Sequence, residues 1–368
     1  MKETKTLFLT GVTGGLGREL LKLFLERSED RLLLLVRAKA SDSHADRVQK
    51  ILTKIGINGE AKKRIEVLAG DVSRPALGLR EEEYRRVIQE TDEFYHIAAL
   101  TNLGASWEDA EKINLGGTLH ALEVAGEAQK QGRLECFFYF STAYVAGSLT
   151  KIHSLEDALP ENPSFANAYE ATKFLAEKKV REEMREGLPA TIFRPSIVVG
   201  DTRTGAVSEF NVIYPFLRLF AHGFLKKLPS QVENSFNIVP IDFVVQAAFK
   251  IARQKNSLGR TFHLVTETPP TLQMFLAIKQ EYGFFPPLEV VPPETFSLED
   301  LNEQEKLIFA SLNPYLGYLG SPLTFDTQNA KEALRQTDIS FPKTDLPFLR
   351  KIVSYAIEKG YFLPSSSF

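Results

Sequence analysis

The segment Thr10-Gly11-Val12-Thr13-Gly14-Gly15-Leu16-Gly17 constrains this chain more than any other. It follows the short apolar run Thr6–Thr10 and opens the helix-period stretch Leu16–Glu26. Gly11, Gly14 and Gly17 give a GxxGxxG spacing, one residue longer at the start than GxGxxG. Glycine permits the tight turn and lets backbone N–H groups approach a pyrophosphate closely. The helix that follows presents its positive end to the same anion. A glycine-rich match alone is weak evidence. Between a strand and a helix it predicts a dinucleotide site, with Gly11, Thr13, Gly14, Gly15, Leu16 and Gly17 facing the phosphates.

The rest of the first 200 residues repeats the strand–helix rhythm. Short apolar runs recur at Arg31–Val36, Ile65–Ala69, Glu93–Ala98, Phe137–Ser141 and Ala190–Arg194. Helical patterns lie between them, notably Arg47–Ile55, Ala110–Lys130 and Ala168–Arg185. Runs apolar on both faces belong to buried parallel strands. The expectation is therefore an α/β fold: a Rossmann-type, doubly wound parallel sheet. After Gly200 the rhythm breaks. Helices are expected at Phe210–His222, Val239–Arg253, Leu272–Tyr282, Leu298–Ala310, Thr327–Leu334 and Leu346–Lys359, with a strand at Thr261–Val265. The predicted division is a nucleotide-binding domain of residues 1–200 plus 236–265. A smaller, mostly helical C-terminal lobe, residues 201–235 plus 266–368, would fold over it and hold the substrate.

Arg37 follows the second apolar run, about 20 residues beyond Gly17. An NAD-selective site places Asp or Glu there for the ribose 2′-hydroxyl; arginine suits the 2′-phosphate of NADP(H) instead. Arg18 is a second candidate for that phosphate. Asp71, with Val72 beside it, is positioned to meet the adenine ring. Ala98 and Ala99 lack bulk and leave room for the cofactor.

Tyr169 and Lys173 lie at i and i+4 on one face of a predicted helix. A nearby ammonium favours phenolate and is expected to lower the tyrosine pKa toward working pH. Tyrosine then serves as general acid or base. The run ending at Ser141 and Thr142 places a hydroxyl at the carboxyl edge of the sheet, where open α/β folds bind ligands. Either hydroxyl is suited to a substrate carbonyl.

These motifs, with Asn114-Leu115-Gly116-Gly117-Thr118 and Arg194-Pro195-Ser196, resemble the extended short-chain dehydrogenase/reductase family. The resemblance implies a Thr142/Tyr169/Lys173 catalytic set, with Asn114 mainly supporting the active-site helix. It also implies that Lys173 binds the nicotinamide ribose and that Pro195, Ser196 and Val198 lie beside the nicotinamide. Within the family the chain is most similar to the thioester reductase and fatty acyl-CoA reductase (male-sterility-type NAD-binding) branch. That narrower likeness rests on Leu34–Lys39 with the extra helical stretch Arg47–Ile55, on Ala69–Pro75 leading to Leu77-Gly78-Leu79, and on Phe193–Asp201 followed by Arg203-Thr204-Gly205. It implies NADPH-dependent reduction of an acyl-CoA or acyl carrier protein thioester to aldehyde or alcohol. Other readings are a sugar-nucleotide epimerase or dehydratase, a 3β-hydroxysteroid-type dehydrogenase, and a non-catalytic NADP-binding sensor.

For the acyl chain the candidate linings are Phe210, Ile213, Phe216 and Phe220 on one helix face, then residues 284–287 and 314–325. Arg218, Lys226 and Lys227 are candidates for carrier phosphates, although a solvated basic face is the simpler explanation of them. Net charge is −3, from 44 basic and 47 acidic residues, which argues against a nucleic-acid partner. No apolar run approaches the roughly 20 residues of a membrane span, though an apolar surface patch would allow peripheral membrane contact. The segment MKETKTLFLT lacks the h-region of a signal peptide. With Cys136 as the single cysteine, a reducing cytoplasmic setting is expected. Six scattered His show no ligand spacing, so no metal is expected. Cys136 heads a buried run and is expected to be inert.

Overall fold

In the computed structural model, residues 4–39, 41–148, 152–223, 226–283, 285–319 and 323–362 are described. Seven strands form one parallel sheet: β1 (Thr6–Thr10), β2 (Arg31–Val36), β3 (Ile65–Ala69), β4 (Glu93–His96), β5 (Cys136–Phe140), β6 (Ala190–Pro195) and β7 (Thr261–Leu264). Their spatial order is β3-β2-β1-β4-β5-β6-β7. The direction of progression reverses between β1 and β4, which makes a crevice at the carboxyl ends of those two strands. Every residue of β1, β4, β5, β6 and β7 is buried, as the continuous apolar runs require of a sheet covered on both faces.

Helices α1 (Gly15–Arg27) and α7 (Ile241–Ile251) cover one face, packing Leu20, Phe24, Val244 and Ile251 against Leu7, Leu34 and Phe138. The opposite face is covered by α3 (Glu81–Glu90), α4 (Gly117–Lys130) and α5 (Ala168–Arg185), through Val87, Ala121, Ala125, Ala176 and Val180. A third apolar cluster lies beyond the strand ends. It joins α6 (Ile213–Ala221), α8 (Leu272–Glu281), α9 (Glu303–Leu316) and α11 (Leu346–Glu358). Two further helices are α2 (His44–Lys54) and α10 (Gln328–Leu334).

Several boundaries differ from the periodicity, each for a local reason. α2 starts at His44 rather than Arg47 because Ser43 and Asp46 form a reciprocal capping box. The helix expected from Ala110 begins at Trp107, where Ser106 accepts from the Asp109 N–H, and passes through a π-helical stretch at Glu111–Gly116. α6 starts at Ile213 because Val212 takes φ +47°, outside the helical region. Residues Ile238–Pro240 form a short strand paired with Ile197–Val199, and the helix follows only from Ile241. Leu298–Asp300 is a single 3₁₀ turn; the helix restarts behind the Asn302/Glu305 capping box and runs to Leu316.

Candidate active site

A cleft of about 460 Å³ opens where β1 and β4 diverge. Its floor is the glycine turn. Gly11 has φ +79°, and a Cβ on it would lie 2.5 Å from the Ala98 nitrogen. A Cβ on Gly17 would lie 2.3 Å from the Gly11 carbonyl. Thr10 secures this crossing: its hydroxyl meets His96 Nδ1 at 2.9 Å and accepts from the Ile97 and Ala98 N–H groups. α1 begins at Gly15, behind Gly14 at the N-cap, with no side-chain cap and no acid in its first turn. Its first N–H groups thus carry no competing anion, as a phosphate cradle requires.

Gly11, Thr13, Gly14, Gly15, Leu16 and Gly17 all line the cleft. Arg18 does not, contrary to expectation. It is 7% exposed, donates to the Thr13 carbonyl at 3.2 Å and lies 3.8 Å from Glu209. That short local bond ties the side chain to the loop itself.

Toward β2 and β3 the cleft is lined by Arg37, Asp71 and Val72. The Asp71 carboxylate lies 3.6 Å from Arg37 and accepts from the Ser73 N–H and hydroxyl at 3.0 and 2.9 Å. Burial pushes that carboxyl up, but the Ser73 bonds, with Arg37 and Arg74, outweigh it and hold it below the usual range. Lys39 and Arg47 also line this end, and Arg47 donates to the Arg37 carbonyl. Neither is assigned to the cofactor by the sequence motifs, although both lie within them. The signal for them is the extra helix after β2, whose first turn carries Arg47.

At the other end Ala98, Ala99, Thr142, Tyr169, Lys173, Pro195, Ser196 and Val198 share the same cleft. Asn114 lies outside it. Its side chain bridges the Leu100 backbone and the Thr172 hydroxyl, at 2.7 and 3.0 Å, so it ties the loop after β4 to α5. Tyr169 and Lys173 occupy successive turns of α5, whose start is fixed by the Asn167 side chain accepting from the Glu170 N–H. Thr142 shares the cleft with the Tyr169 hydroxyl and favours its phenolate form. The expected lowering of the tyrosine pKa is absent: burial pushes the Tyr169 phenol up to about 12. Lys173 is desolvated as well. It is 1% exposed, burial pushes its ammonium down to about 7 against the opposing charge of Glu177, and it donates to the Phe140 carbonyl at 2.8 Å.

Val207, Ser208, Glu209, Asn211 and Val212, with Ile241 and Tyr318, form a wall that no sequence motif places there. The hydroxyls of Ser196 and Ser208 are buried in this lining without a protein partner among the described residues. A Cβ on Gly15 would lie 2.7 Å from the Ser208 oxygen, so this wall closes on the glycine turn. Bare helix N–H groups, backbone too close for any side chain, and two orphaned hydroxyls fit a bound dinucleotide.

A second, apolar cavity is lined by Ile213, Phe216 and Phe285 among others. Phe210 instead stacks on Tyr361 at 4.2 Å. The Phe220 side chain, Phe284 and residues 320–322 lie outside the described residues. Arg218 stands over the Tyr361 ring and Lys226 lies 3.8 Å from Glu305. Cys136 is buried, and burial pushes its thiol far above the usual range. Among the described residues no three acidic, His or Cys side chains group as metal ligands, and no helix is long and apolar enough to cross a membrane.

The family described as Male sterility protein, a group of NAD-binding domains, matches residues 9–248. The chain is 28% identical to nonribosomal peptide synthetase asaC of Aspergillus flavus, over 96% of this chain and 36% of that protein. It is 26% identical to fatty acyl-CoA reductase wat of Drosophila melanogaster, over 76% of this chain and 61% of that protein. The chain thus spans about a third of the synthetase. Among solved structures, the terminal R domain of the myxalamid PKS-NRPS pathway superposes with a TM-score of 0.83 at 29% identity, covering 100% of this chain and 94% of that one. A UDP-glucuronic acid 4-epimerase from Bacillus cereus, at 16% identity and TM-score 0.66, shares the fold. With the family model spanning well over half its length, this chain belongs to the male sterility protein family of NAD(P)-binding reductase domains.

Proposed function

We propose that the protein is an NADPH-dependent reductase of acyl thioesters, carried on coenzyme A or an acyl carrier protein, yielding an aldehyde or alcohol. The observation that carries this reading is the placement of Thr142, Tyr169 and Lys173 in the same cleft as the glycine turn. In the two-part division, residues 1–200 plus 236–265 bind cofactor and residues 201–235 plus 266–368 cover the substrate. The separate apolar cluster beyond the strand ends supports that division.

When bound, the nicotinamide supplies a hydride to the thioester carbonyl. Gly11 to Gly17 and the first turn of α1 would hold the pyrophosphate. Asp71 and Val72 would hold adenine, and Arg37, with Arg47 and Lys39, the 2′-phosphate. Ala98, Ala99, Pro195, Ser196 and Val198 would flank the nicotinamide, and Lys173 would hold its ribose. Thr142 and Tyr169 donate hydrogen bonds to the oxyanion, and Tyr169 gives it a proton. A phenol held near 12 stays protonated at neutral pH and suits the acid role. The hemithioacetal then expels its thiol, and the carbonyl re-forms as aldehyde; a second round would give alcohol.

The test is NADPH absorbance decay with purified protein and a panel of acyl-CoA and acyl carrier protein thioesters, with products identified by mass spectrometry. Thioester-dependent oxidation with an aldehyde or alcohol product is expected. Tight NADPH binding with no oxidation by any thioester would sink the reading.

A further inference from the structure

A strap, residues 206–212, closes on the first turn of α1 from far along the chain. Its ends are pinned by the last helix and the residues just after it. The Tyr355 hydroxyl donates to the Val207 carbonyl at 3.4 Å, and the Phe210 ring stacks on Tyr361 at 4.2 Å. Just ahead of the strap, Lys351 Nζ donates to the Thr202 carbonyl at 2.8 Å. A Cβ on Gly205 would lie 2.4 Å from the Lys351 carbonyl, so the two backbones touch there. At the other end Val212 takes φ +47°, a left-handed turn that costs a β-branched residue free energy. Packing, not local preference, holds the strap in this path.

Two successive residues at its tip meet α1. The Ser208 oxygen stands over Gly15, where an added Cβ would lie 2.7 Å from it. Glu209 lies 3.8 Å from Arg18, three residues further along the same helix face. Ser208 Oγ and the Nε and Nη1 of Arg18 are buried without a protein partner among the described residues. Leaving buried donors unpaired is costly. Here the cost is gathered at a helix start that carries neither a side-chain cap nor an acid. Ser208 also lines the cleft, beside Gly14, Gly15 and Leu16. A hydroxyl donor facing bare helix N–H groups across a cleft fits a bound anion between them.

We propose that Ser208 is a binding residue for the pyrophosphate of the cofactor: its hydroxyl donates to a phosphate oxygen from the strap side, opposite the first turn of α1. The inference rests on the proposed NADPH site and is independent of the thioester. Glu209 against Arg18 seats the tip, and the last helix holds the ends, so the cofactor is enclosed at its most charged point. The strap must then part for the cofactor to enter or leave. A hydroxyl suits the place, because it donates to phosphate without adding charge next to Glu209. The nicotinamide, which carries the difference between NADPH and NADP⁺, belongs at the opposite end of the cleft near Pro195 and Val198. Ser208 should therefore serve both redox forms alike.

The experiment is calorimetric titration of wild type, Ser208→Ala and Ser208→Asp. The probes are NADPH, NADP⁺ and 2′-phospho-ADP-ribose, which keeps the pyrophosphate and lacks nicotinamide. Ser208→Ala should weaken all three by the same factor, about tenfold, for one lost hydrogen bond to a charged group. Ser208→Asp sets a carboxylate against the phosphates and should weaken all three at least about a hundredfold. In wild type, amide exchange across residues 206–212 should slow when 2′-phospho-ADP-ribose is added. Unchanged affinities in Ser208→Ala, a loss with NADPH that 2′-phospho-ADP-ribose does not share, wild-type affinity in Ser208→Asp, or unaltered exchange would each overturn the proposal. If wild type bound NADPH but reduced no thioester, the functional reading would fail, and these affinities would still decide the role of Ser208.

Discussion

Lys173 donates to the carbonyl of Phe140, the last residue of β5, at 2.8 Å. The ammonium is thereby fixed to the end of the strand that delivers Ser141 and Thr142, with the Tyr139 ring 4.2 Å away. Lysine and threonine are registered to each other through one backbone group.

That position carries a stability signature. The Lys173 pKa falls from 10.5 to about 7 on folding, so the unfolded chain binds more protons between those values. Stability then rises with pH across that window, because the penalty for burying the charge is relieved as Lys173 deprotonates. Lys173→Met should flatten that rise. Urea midpoints of wild type and variant at pH 7, 8.5 and 10 measure the difference; parallel curves would contradict it.

Tyr169→Phe removes the proposed proton donor but keeps the ring. Turnover should fall about 10²- to 10⁴-fold while NADPH Kd stays within about twofold. Retention of near wild-type kcat would remove Tyr169 from the acid role.

Arg37→Ala should narrow the proposed preference for NADPH over NADH by about tenfold to a hundredfold, the worth of one or two charge-assisted hydrogen bonds. Arg47→Ala should do the same to a lesser degree. Fluorescence titration of both cofactors reads the ratio, and an unchanged ratio in both variants would contradict the assignment.

Gly17→Ala places a Cβ 2.3 Å from the Gly11 carbonyl, where only backbone can give way. The turn must shift, and NADPH affinity should fall at least about a hundredfold. Gly126 is the control, since a Cβ added there would meet nothing within 4 Å. Gly126→Ala should bind NADPH as wild type does.

Glu177 and Arg194 are both fully buried and meet at 2.5 Å. Despite burial, Arg194 and Arg181 hold the Glu177 carboxyl at about 2, below its ordinary 4.5. A depressed carboxylate contributes stability above pH 4.5 that is lost as pH falls toward 2. Glu177→Gln should cost about 3–5 kcal/mol at pH 7 by leaving Arg194 buried and unpaired, and the cost should shrink in acid. Denaturant melts at pH 7 and pH 3.5 test both statements.

The sheet and the glycine-turn end of the cleft are legible in the sequence alone. Glycine spacing, apolar runs and the i, i+4 pair are local signals, and local signals survive without coordinates. Gly11, Arg37, Asp71, Thr142, Tyr169 and Lys173 can all be found this way, because each sits at a strand end or on one helix face. The remainder depends on how distant segments pack. Arg18 belongs to its own loop, since one short bond to Thr13 holds it there. The Tyr169 pKa moves up rather than down because burial outweighs the opposing influence of Thr142. Tyr318 reaches the cleft from about 150 residues beyond Asn167, which donates to its hydroxyl; no period or spacing encodes a contact between segments so far apart, which exists only once both pack on the same strand ends.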